Sequence, residues 1–322
     1  MKVTNEKELP EALVKAVEND SYSKGNADRS VTGLLSPPRQ AALADLHEAE
    51  LSEDVSDRLW SLYGKIVHGI LEDAGEKSLS EITEERLFTE VGGWTISGQT
   101  DSLTLTEDQK SWIISDYKFV TAYKFKRDRF GNLPEQKGYE EQLNLYAYLL
   151  EANGFPVAAL KIVAIYRDWS KLEAKRDSNY PQLGAETHDI PLWSHDRAKA
   201  FVEERVRLHQ EAEKNLPECS DDDRWSRPTK YALMASATSK RARKLFFGHR
   251  EAAEWAVENK MKTGWVIERR EGEDIRCENY CLVSDFCEQF KTNQAKAKIE
   301  IEDIENGVRI ITDKENLKKI SG

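Results

Sequence analysis

Three long stretches of the chain repeat apolar residues at steps of three and four, the spacing that places side chains on one face of an α-helix. In the first stretch, Val55, Leu59 and Leu62 begin such a series, which Ile66 and Ile70 continue. These series predict helices over residues 52–73, 139–153 and 195–215. Weaker helical patterns cover residues 1–25, 39–50, 230–237, 238–247 and 249–261.

Other segments alternate apolar and polar residues, or are short and apolar, as β-strands are. They predict strands over residues 85–91, 94–105, 111–120, 157–167 and 264–269. Tight turns join the earliest strands, which predicts an antiparallel meander. The helix at 139–153 and the strand that follows it predict a crossover back onto the same sheet. Near the C-terminus a hairpin is expected, with Asn306-Gly307 as its turn.

Strands and helices in this order predict an α/β protein, in which a mixed β-sheet is flanked by helices. A helical, cysteine-containing C-terminal region is expected to follow the sheet. The 322 residues suffice for one large domain or for a core with appendages. We divide the chain into an N-terminal helical segment (1–50), a core (51–215), a cysteine region (216–290) and a C-terminal tail or hairpin (291–322).

The chain carries a formal net charge of −11, which argues against a protein that coats nucleic acid without specificity, since phosphate contacts need a basic surface. The basic runs at 124–129 and 240–244 could still touch phosphate, although each could equally be a solvated face. No stretch approaches the about 20 apolar residues that span a bilayer, and the N-terminus lacks the apolar region of a signal peptide. We therefore expect a cytoplasmic protein that does not contact the membrane.

Two acidic residues fall on neighbouring predicted strands, Asp101 on one and Asp116 on the next. Lys118 follows Asp116 by two positions, so their side chains leave the same face of the strand. Close carboxylates stay ionised only where a cation compensates them, and Mg²⁺ prefers oxygen ligands. The arrangement predicts a metal-dependent site for phosphodiester hydrolysis, where Lys118 orients water or neutralises charge on phosphate. Taken alone, an Asp-x-Lys pair is common and also suits the wet face of an ordinary meander.

Four short motifs occur in a fixed order along residues 64–146. They are Gly64-Lys65-Ile66-Val67-His68, Gly98-Gln99-Thr100-Asp101, Asp116-Tyr117-Lys118 and Gln142-Leu143-Asn144-Leu145-Tyr146. This ordered set resembles the PD-(D/E)xK nuclease superfamily and, within it, the RecB-like exonuclease branch. Residues 30–39 are similar to the beginning of phage-type members. The resemblance implies a restriction-endonuclease-like core over residues 51–215, in a bacterial or phage-infected cell.

The resemblance also implies which residues hold the metal. His68, Asp101 and Asp116 would be ligands of Mg²⁺ or Mn²⁺, and the backbone carbonyl of Tyr117 would be a fourth. Read from the residues alone, His68 lies near the apolar face of its helix and could be a satisfied core histidine.

Further catalytic roles are implied for three residues. Lys118 would be the catalytic lysine, acting with the two aspartates, and Gln142 and Tyr146 would touch DNA or the scissile phosphate. Since Gln142 and Tyr146 are one helical turn apart, they share a face. Spacing alone leaves Tyr146 equally open as a core aromatic with its hydroxyl at the edge.

Four cysteines, Cys219, Cys277, Cys281 and Cys287, lie in the C-terminal third of the chain. In an intracellular protein such a cluster indicates a metal site before disulfides, and four thiolates suit Zn²⁺ or an iron–sulfur cluster equally by count. Several RecB-like nucleases carry a [4Fe–4S] cluster, so the resemblance favours one here. The chain departs from their pattern because Cys219 follows the core and three residues, not two, separate Cys277 from Cys281. Zinc and free buried thiols stay open.

These features predict a metal-dependent DNA nuclease, in particular an exonuclease of recombination or repair. DNA is the expected partner, and a recombination or replication protein is a further candidate. An alternative is a structure- or single-strand-specific endonuclease on the same scaffold. Another is a non-catalytic DNA-binding module, against which the complete set of site residues argues.

Overall fold

The computed structural model describes residues 2–19, 24–74, 81–83, 86–294 and 311–312. The chain divides into two compact units, Met1–Leu216 (unit 1) and Pro217–Gly322 (unit 2). The strands of unit 1 are β1 (Lys2–Thr4), β2 (Arg29–Ser30), β3 (Ser52–Asp54), β4 (Glu81–Thr83), β5 (Arg86–Val91), β6 (Trp94–Gln99), β7 (Ser102–Leu105), β8 (Trp112–Val120), β9 (Val157–Tyr166) and β10 (Ala185–Ile190). Its helices are α1 (Glu11–Glu18), α2 (Val31–Leu35), α3 (Pro38–Leu46), α4 (Val55–Ala74), α5 (Lys137–Ala152), α6 (Lys171–Arg176) and α7 (His195–Ala212).

The largest sheet of unit 1 is mixed and has the strand order β10-β9-β8-β7-β4. Strands β8 and β9 run parallel, whereas β7–β8, β9–β10 and β4–β7 are antiparallel pairs. Helix α5 connects the two parallel strands, which confirms the predicted crossover. The crossover makes β8 a central strand, with a neighbour on each side.

The strand predicted over residues 94–105 is two strands. The chain bends at Thr100 and Asp101, so β6 and β7 belong to different sheets. Strand β6 pairs with β5 and β2, and β7 pairs with β8 and β4. The prediction of one continuous strand was wrong: the hydrogen-bonding partners change at the bend, and the apolar residues shift from even positions (Trp94, Ile96) to odd ones (Leu103, Leu105).

Helix α5 is buried along its second half on every side, from Leu143 to Leu150. It packs against β9 and β8 of the large sheet, and also against α2, α7, β5 and β6. Strand β9 presents Leu160, Ile162 and Ala164 to the same core. An amphipathic helix with one apolar side was predicted; the structure instead encloses the helix between two sheets.

The N-terminal segment is more broken than the predicted helices over 1–25 and 39–50. Strand β1 pairs in parallel with β3, and α1 covers only Glu11–Glu18. Ser30 caps α2 by accepting a hydrogen bond from the backbone N–H of Gly33 at 3.1 Å. The proline-containing segment then separates α2 from α3. The edge strand β10 and the short helix α6 were not predicted, because polar residues and short length hide their periodicity.

Unit 2 contains the strands β11 (Ser226–Arg227), β12 (Lys230–Met234), β13 (Ala242–Phe246), β14 (Val266–Arg270), β15 (Glu273–Asp274) and β16 (Ile311–Thr312). Its helices are α8 (Asp221–Arg224), α9 (His249–Glu258) and α10 (Ile275–Asn279). Four strands form a sheet of order β13-β12-β14-β16. Leu233, Phe246 and Ile267 from this sheet bury against Ala252 and Ala256 of α9.

The helices predicted over 230–237 and 238–247 were therefore wrong, since these segments form β12 and β13. Their alanine, leucine, lysine and arginine residues favour a helix locally, but pairing with β14 and burial under α9 decide the outcome. The mixed sheets flanked by helices confirm the α/β class. The predicted hairpin around Asn306-Gly307 lies outside the described residues, apart from β16, which pairs in parallel with β14. Among the described helices, none combines the length and apolar character that crossing a membrane requires.

Candidate active site

Asp101 lies at the bend between β6 and β7, immediately before the β7–β8 ladder begins. Ser102 faces Ser115 in that ladder, so the register places Asp101 beside Asp116. Its Oδ2 accepts a hydrogen bond from the backbone N–H of Tyr117 at 2.7 Å. The backbone of β8 therefore orients this carboxylate, and the predicted proximity of the two aspartates is confirmed.

Asp116 lies on the central strand β8 and is only 3% exposed. The Nζ atom of Lys118 is 2.5 Å from Asp116 Oδ2. This ion pair holds the lysine ammonium directly against the buried carboxylate oxygen. Burial raises the pKa of Asp116 to about 6; the positive charge of Lys118 opposes this rise, and the negative charge of Asp101 adds to it. The buried carboxylate is thus incompletely compensated.

His68 reaches the same site from helix α4. Its Nδ1 is 3.4 Å from Asp101 Oδ1, and its ring meets the Tyr117 ring edge-on with centroids 6.3 Å apart. The hydrogen bond to Asp101 raises the pKa of His68, burial opposes this, and the charges of Asp101 and Asp116 favour the protonated form further. The structure thus brings the three predicted ligand side chains to one end of the β7–β8 pair.

Gln142 and Tyr146 lie one turn apart on α5, and Gln142 Nε2 donates a hydrogen bond to Tyr146 Oη at 3.1 Å. Tyr146 is buried and packs directly over Gly98 of β6. A Cβ atom on Gly98 would lie 2.9 Å from Tyr146 Cδ1 and 3.0 Å from Leu149 Cδ2, closer than side chains tolerate. The glycine that precedes Asp101 by three residues therefore allows α5 to approach β6.

Two residues at the site were not singled out from the sequence as partners of Lys118. The Nζ of Lys118 is 5.4 Å from the centre of the Tyr139 ring, and the Nζ of Lys124 is 4.2 Å from the same centre. Lys124 had been noted only within a basic run. The sequence could have indicated this contact through Tyr139. This residue precedes Gln142 by three positions and Tyr146 by seven, and so shares their helix face.

The donor set tests whether a metal ion fits this site. Asp101 and Asp116 offer oxygen, the ligand atom that Mg²⁺ and Mn²⁺ prefer, and His68 offers an imidazole nitrogen. Burial keeps the pKa of Asp116 raised although Lys118 pairs with it, so a further cation would compensate the charge of this carboxylate. In the part of the chain that is described, no three histidine, cysteine or acidic side chains are already arranged to hold an ion. The residue types fit the metal, while Lys118 and His68 face the two carboxylates directly.

The cysteines of unit 2 lie on α10 and on the turns after it, with Cys219 ahead of α8. Burial raises the pKa of Cys277 to about 11, and the neighbouring thiols Cys281 and Cys287 add to this rise. The side chain of Gln289 ties down the backbone of Cys219, with Oε1 accepting from its N–H at 2.8 Å and Nε2 donating to its carbonyl at 2.9 Å. Within the described residues, these cysteines do not form a preformed ion site either, so a metal at this position stays a prediction.

The sequence profile of the PD-(D/E)XK nuclease superfamily matches residues 3–288. No curated protein matches the chain. Among solved structures, that of SSO0001 is similar at a TM-score of 0.40 and 21% identity, over 61% of this chain and 84% of that protein. A Eubacterium rectale protein, provisionally described as an exonuclease, is similar at a TM-score of 0.30 and 14% identity, over 49% of this chain and 56% of that protein.

The superfamily profile covers nearly all of unit 1 and most of unit 2. Together with the mixed sheets flanked by helices, it confirms the predicted restriction-endonuclease-like fold class. The RecB-like branch and the phage-type features stay predictions. Because the profile extends over far more than half of its length, the chain belongs to the PD-(D/E)XK nuclease superfamily.

Proposed function

We propose that this chain is a metal-dependent DNA exonuclease of recombination or repair, which hydrolyses phosphodiester bonds with Mg²⁺ or Mn²⁺. Membership of the superfamily supports a nuclease in general. The observation that carries the proposal is the contact of Lys118 with the buried Asp116, beside a second carboxylate that His68 contacts. A lysine paired with a buried aspartate beside a second carboxylate has no evident purpose in a module that only binds DNA.

In this proposal His68, Asp101 and Asp116 hold the metal, with the Tyr117 carbonyl as a further ligand. The bound metal supplies Lewis acidity, which lowers the pKa of a water molecule and offsets charge on the phosphate. Asp101 is oriented for its part by the N–H of Tyr117. The short distances between these groups and their fixed strand positions favour catalysis, because little reorganisation is needed when the substrate binds.

Lys118 acts next to the carboxylates. Its ammonium group lies on the same strand face as Asp116, so it is placed to orient the attacking water or to balance negative charge on the scissile phosphate. Gln142 and Tyr146 bring an amide and a phenol from α5, and their mutual hydrogen bond keeps them together. We assign this pair to contacts with the DNA phosphate.

End-labelled linear DNA and closed circular DNA, each incubated with Mg²⁺, Mn²⁺ or a chelator, test the proposal. We expect the linear DNA to be degraded from its ends only when a metal is present, and Asp116→Ala to abolish degradation. Cleavage of the closed circle would favour the alternative, an endonuclease on the same scaffold. DNA binding without cleavage under any metal would show that the chain is a binding module.

We further propose that the four cysteines hold a [4Fe–4S] cluster, with Zn²⁺ as the alternative. The Cys281 and Cys287 thiols both add to the raised pKa of Cys277, which supports the proximity of these three side chains. Anaerobically purified protein with a cluster would be brown and would contain iron and acid-labile sulfide. A colourless protein with zinc would establish the alternative, and one without either metal would show that the cysteines are free thiols.

A further inference from the structure

Lys124 and Lys118 share a single aromatic ring beside the candidate active site. Tyr139 receives the ammonium of Lys124 at 4.2 Å and that of Lys118 at 5.4 Å from its ring centre. The two ammonium groups are therefore no farther apart than the sum of these distances. The positive charge of Lys118 acts on Lys124 and lowers its pKa, while contact with the electron-rich face of the ring stabilises an ammonium group.

The electrostatic surroundings of Lys124 differ from those of Lys126, which lies two positions further along the chain. Lys126 pairs with Asp177 at 2.7 Å, and this contact raises its pKa. The pKa of Lys124 is lowered, first by the packing around its ammonium group and second by the charge of Lys118. Within the described residues, no carboxylate acts on Lys124. In a chain with 58 acidic and 47 basic residues, a cation without an acidic neighbour beside the active site is suited to an external anion.

Lys124 is also held in place, although much of its side chain is exposed. It belongs to the 3₁₀ turn Ala122–Phe125, where Asp168 Oδ1 accepts a hydrogen bond from the N–H of Ala122 at 2.7 Å. The carbonyl of Lys124 accepts from Gln136 Nε2 at 3.1 Å. Tyr139 is stacked on Phe125 with ring planes 12° apart. The half-covered ammonium is thus presented from a fixed turn and a fixed ring.

We propose that Lys124, positioned by Tyr139, forms a second phosphate-binding subsite that takes a DNA backbone phosphate next to the scissile one. The inference rests on the proposed function and names a contact of that same site. A lysine ammonium is a compact charge that recognises one phosphate without reading the base. Lys124 therefore contributes equally to binding of the substrate and of the transition state, whereas Lys118 acts on the reacting phosphate.

The dependence of cleavage on salt tests this assignment, because each phosphate contact releases counterions. We expect Lys124→Met to raise KM about tenfold with kcat unchanged, since a lost charged contact to a non-reacting group removes uniform binding. The slope of log(kcat/KM) against log[NaCl] should become less steep by about 0.7 to 0.9, the value of one phosphate contact. Lys124→Arg should restore the slope of the parent protein.

Lys126→Met is the matched control, because Lys126 lies on the same segment but is neutralised by Asp177; it should leave slope and KM unchanged. Tyr139→Phe keeps the ring and should behave as the parent, whereas Tyr139→Leu should resemble Lys124→Met if the ring positions the ammonium. A parental slope in Lys124→Met, or an equal loss in Lys126→Met, would overturn the subsite.

DNA-binding titrations over the same salt range, in a metal-free buffer, separate this inference from the proposed function. If the parent protein cleaves DNA and the Lys124→Met slope is unchanged in both assays, only the subsite fails. If no metal supports cleavage but Lys124→Met alone lowers the slope for binding, the nuclease proposal fails and the phosphate contact stands.

Discussion

The acidic cluster of unit 1 and the cysteine cluster of unit 2 differ in what holds their side chains. Asp116 lies on β8 and Asp101 directly precedes β7, and the backbone hydrogen bonds of the β7–β8 ladder set their relative positions. Cys277 lies on the short helix α10, and Cys281 and Cys287 lie in the turns beyond it. A strand ladder positions side chains without any ligand. Short helices and turns hold side chains less firmly, so a bound group is expected to contribute more to their positions.

The two clusters also differ in charge compensation. At the candidate active site, Asp116 contacts Lys118 and Asp101 contacts His68. The Cys277 and Cys281 thiols have raised pKa values, because burial and neighbouring thiols penalise the thiolate. A metal at the cysteines must therefore displace protons as it binds. The acidic site is assembled by the fold, and the cysteine site is expected to be assembled by its metal.

The largest effect is expected when the cysteine cluster is broken. Cys277→Ser should remove the bound metal and lower the free energy of unfolding of unit 2 by several kcal/mol, because metal binding contributes directly to folding in such sites. Metal analysis and thermal denaturation check this result. Lys240→Ala, an exposed change in the same unit, is the control. An unchanged melting temperature in Cys277→Ser would show that the fold, and not a bound metal, holds the cysteine cluster together.

Lys118→Ala should lower kcat by about a thousandfold, because a charged group at the reacting phosphate acts chiefly in the transition state. Steady-state kinetics on linear DNA measures this loss, which should appear in kcat and leave KM nearly unchanged. Lys161→Ala on the neighbouring strand β9 is the matched control, since within the described part of the chain Lys161 forms an ion pair with Asp189 alone, at 3.9 Å. Equal activity of the two variants would remove Lys118 from the mechanism.

Asp116→Asn should stabilise unit 1 at neutral pH in the presence of a chelator. The pKa of Asp116 is 3.8 in the reference state and about 6 in the fold, so its contribution to stability is present below pH 3.8 and is lost as pH rises to about 6. The neutral amide removes this loss, which gives a gain of about 2–3 kcal/mol at pH 7 and little change at pH 3.5. Denaturant titrations at both pH values measure the difference. An equal effect at the two would contradict the raised pKa.

Gly98→Val should lower the free energy of unfolding by about 1–2 kcal/mol, because the new side chain meets Tyr146 and Leu149. Gly64→Ala provides the comparison within another motif. No atom lies within 4 Å of a Cβ added at Gly64, and alanine favours a helix over glycine, so a gain of about 0.5–1 kcal/mol is expected. Thermal melts should show a lower melting temperature for Gly98→Val and a higher one for Gly64→Ala. A change in the same direction for both variants would contradict the prediction.

Long periodic segments could be predicted from the sequence because their patterns are repeated many times. Helices α4 and α5 and strands β8 and β9 lie where the periodicity places them, within a few residues. Short segments could not: β12 and β13 contain residues that favour a helix, and only their burial against α9 explains their strands. Local preference in five residues is too small to outweigh the packing of a sheet.

The order of the site residues and the strand face shared by Asp116 and Lys118 follow from the local pattern, because a β-strand alternates its side chains with a period of two. The three-dimensional fold decided that the chain bends at Asp101, so that β6 and β7 join different sheets. It also decided that Lys124 and Lys118 meet at Tyr139. Such contacts join residues far apart in sequence, and their geometry depends on how α5 packs against the sheets, which no local pattern encodes.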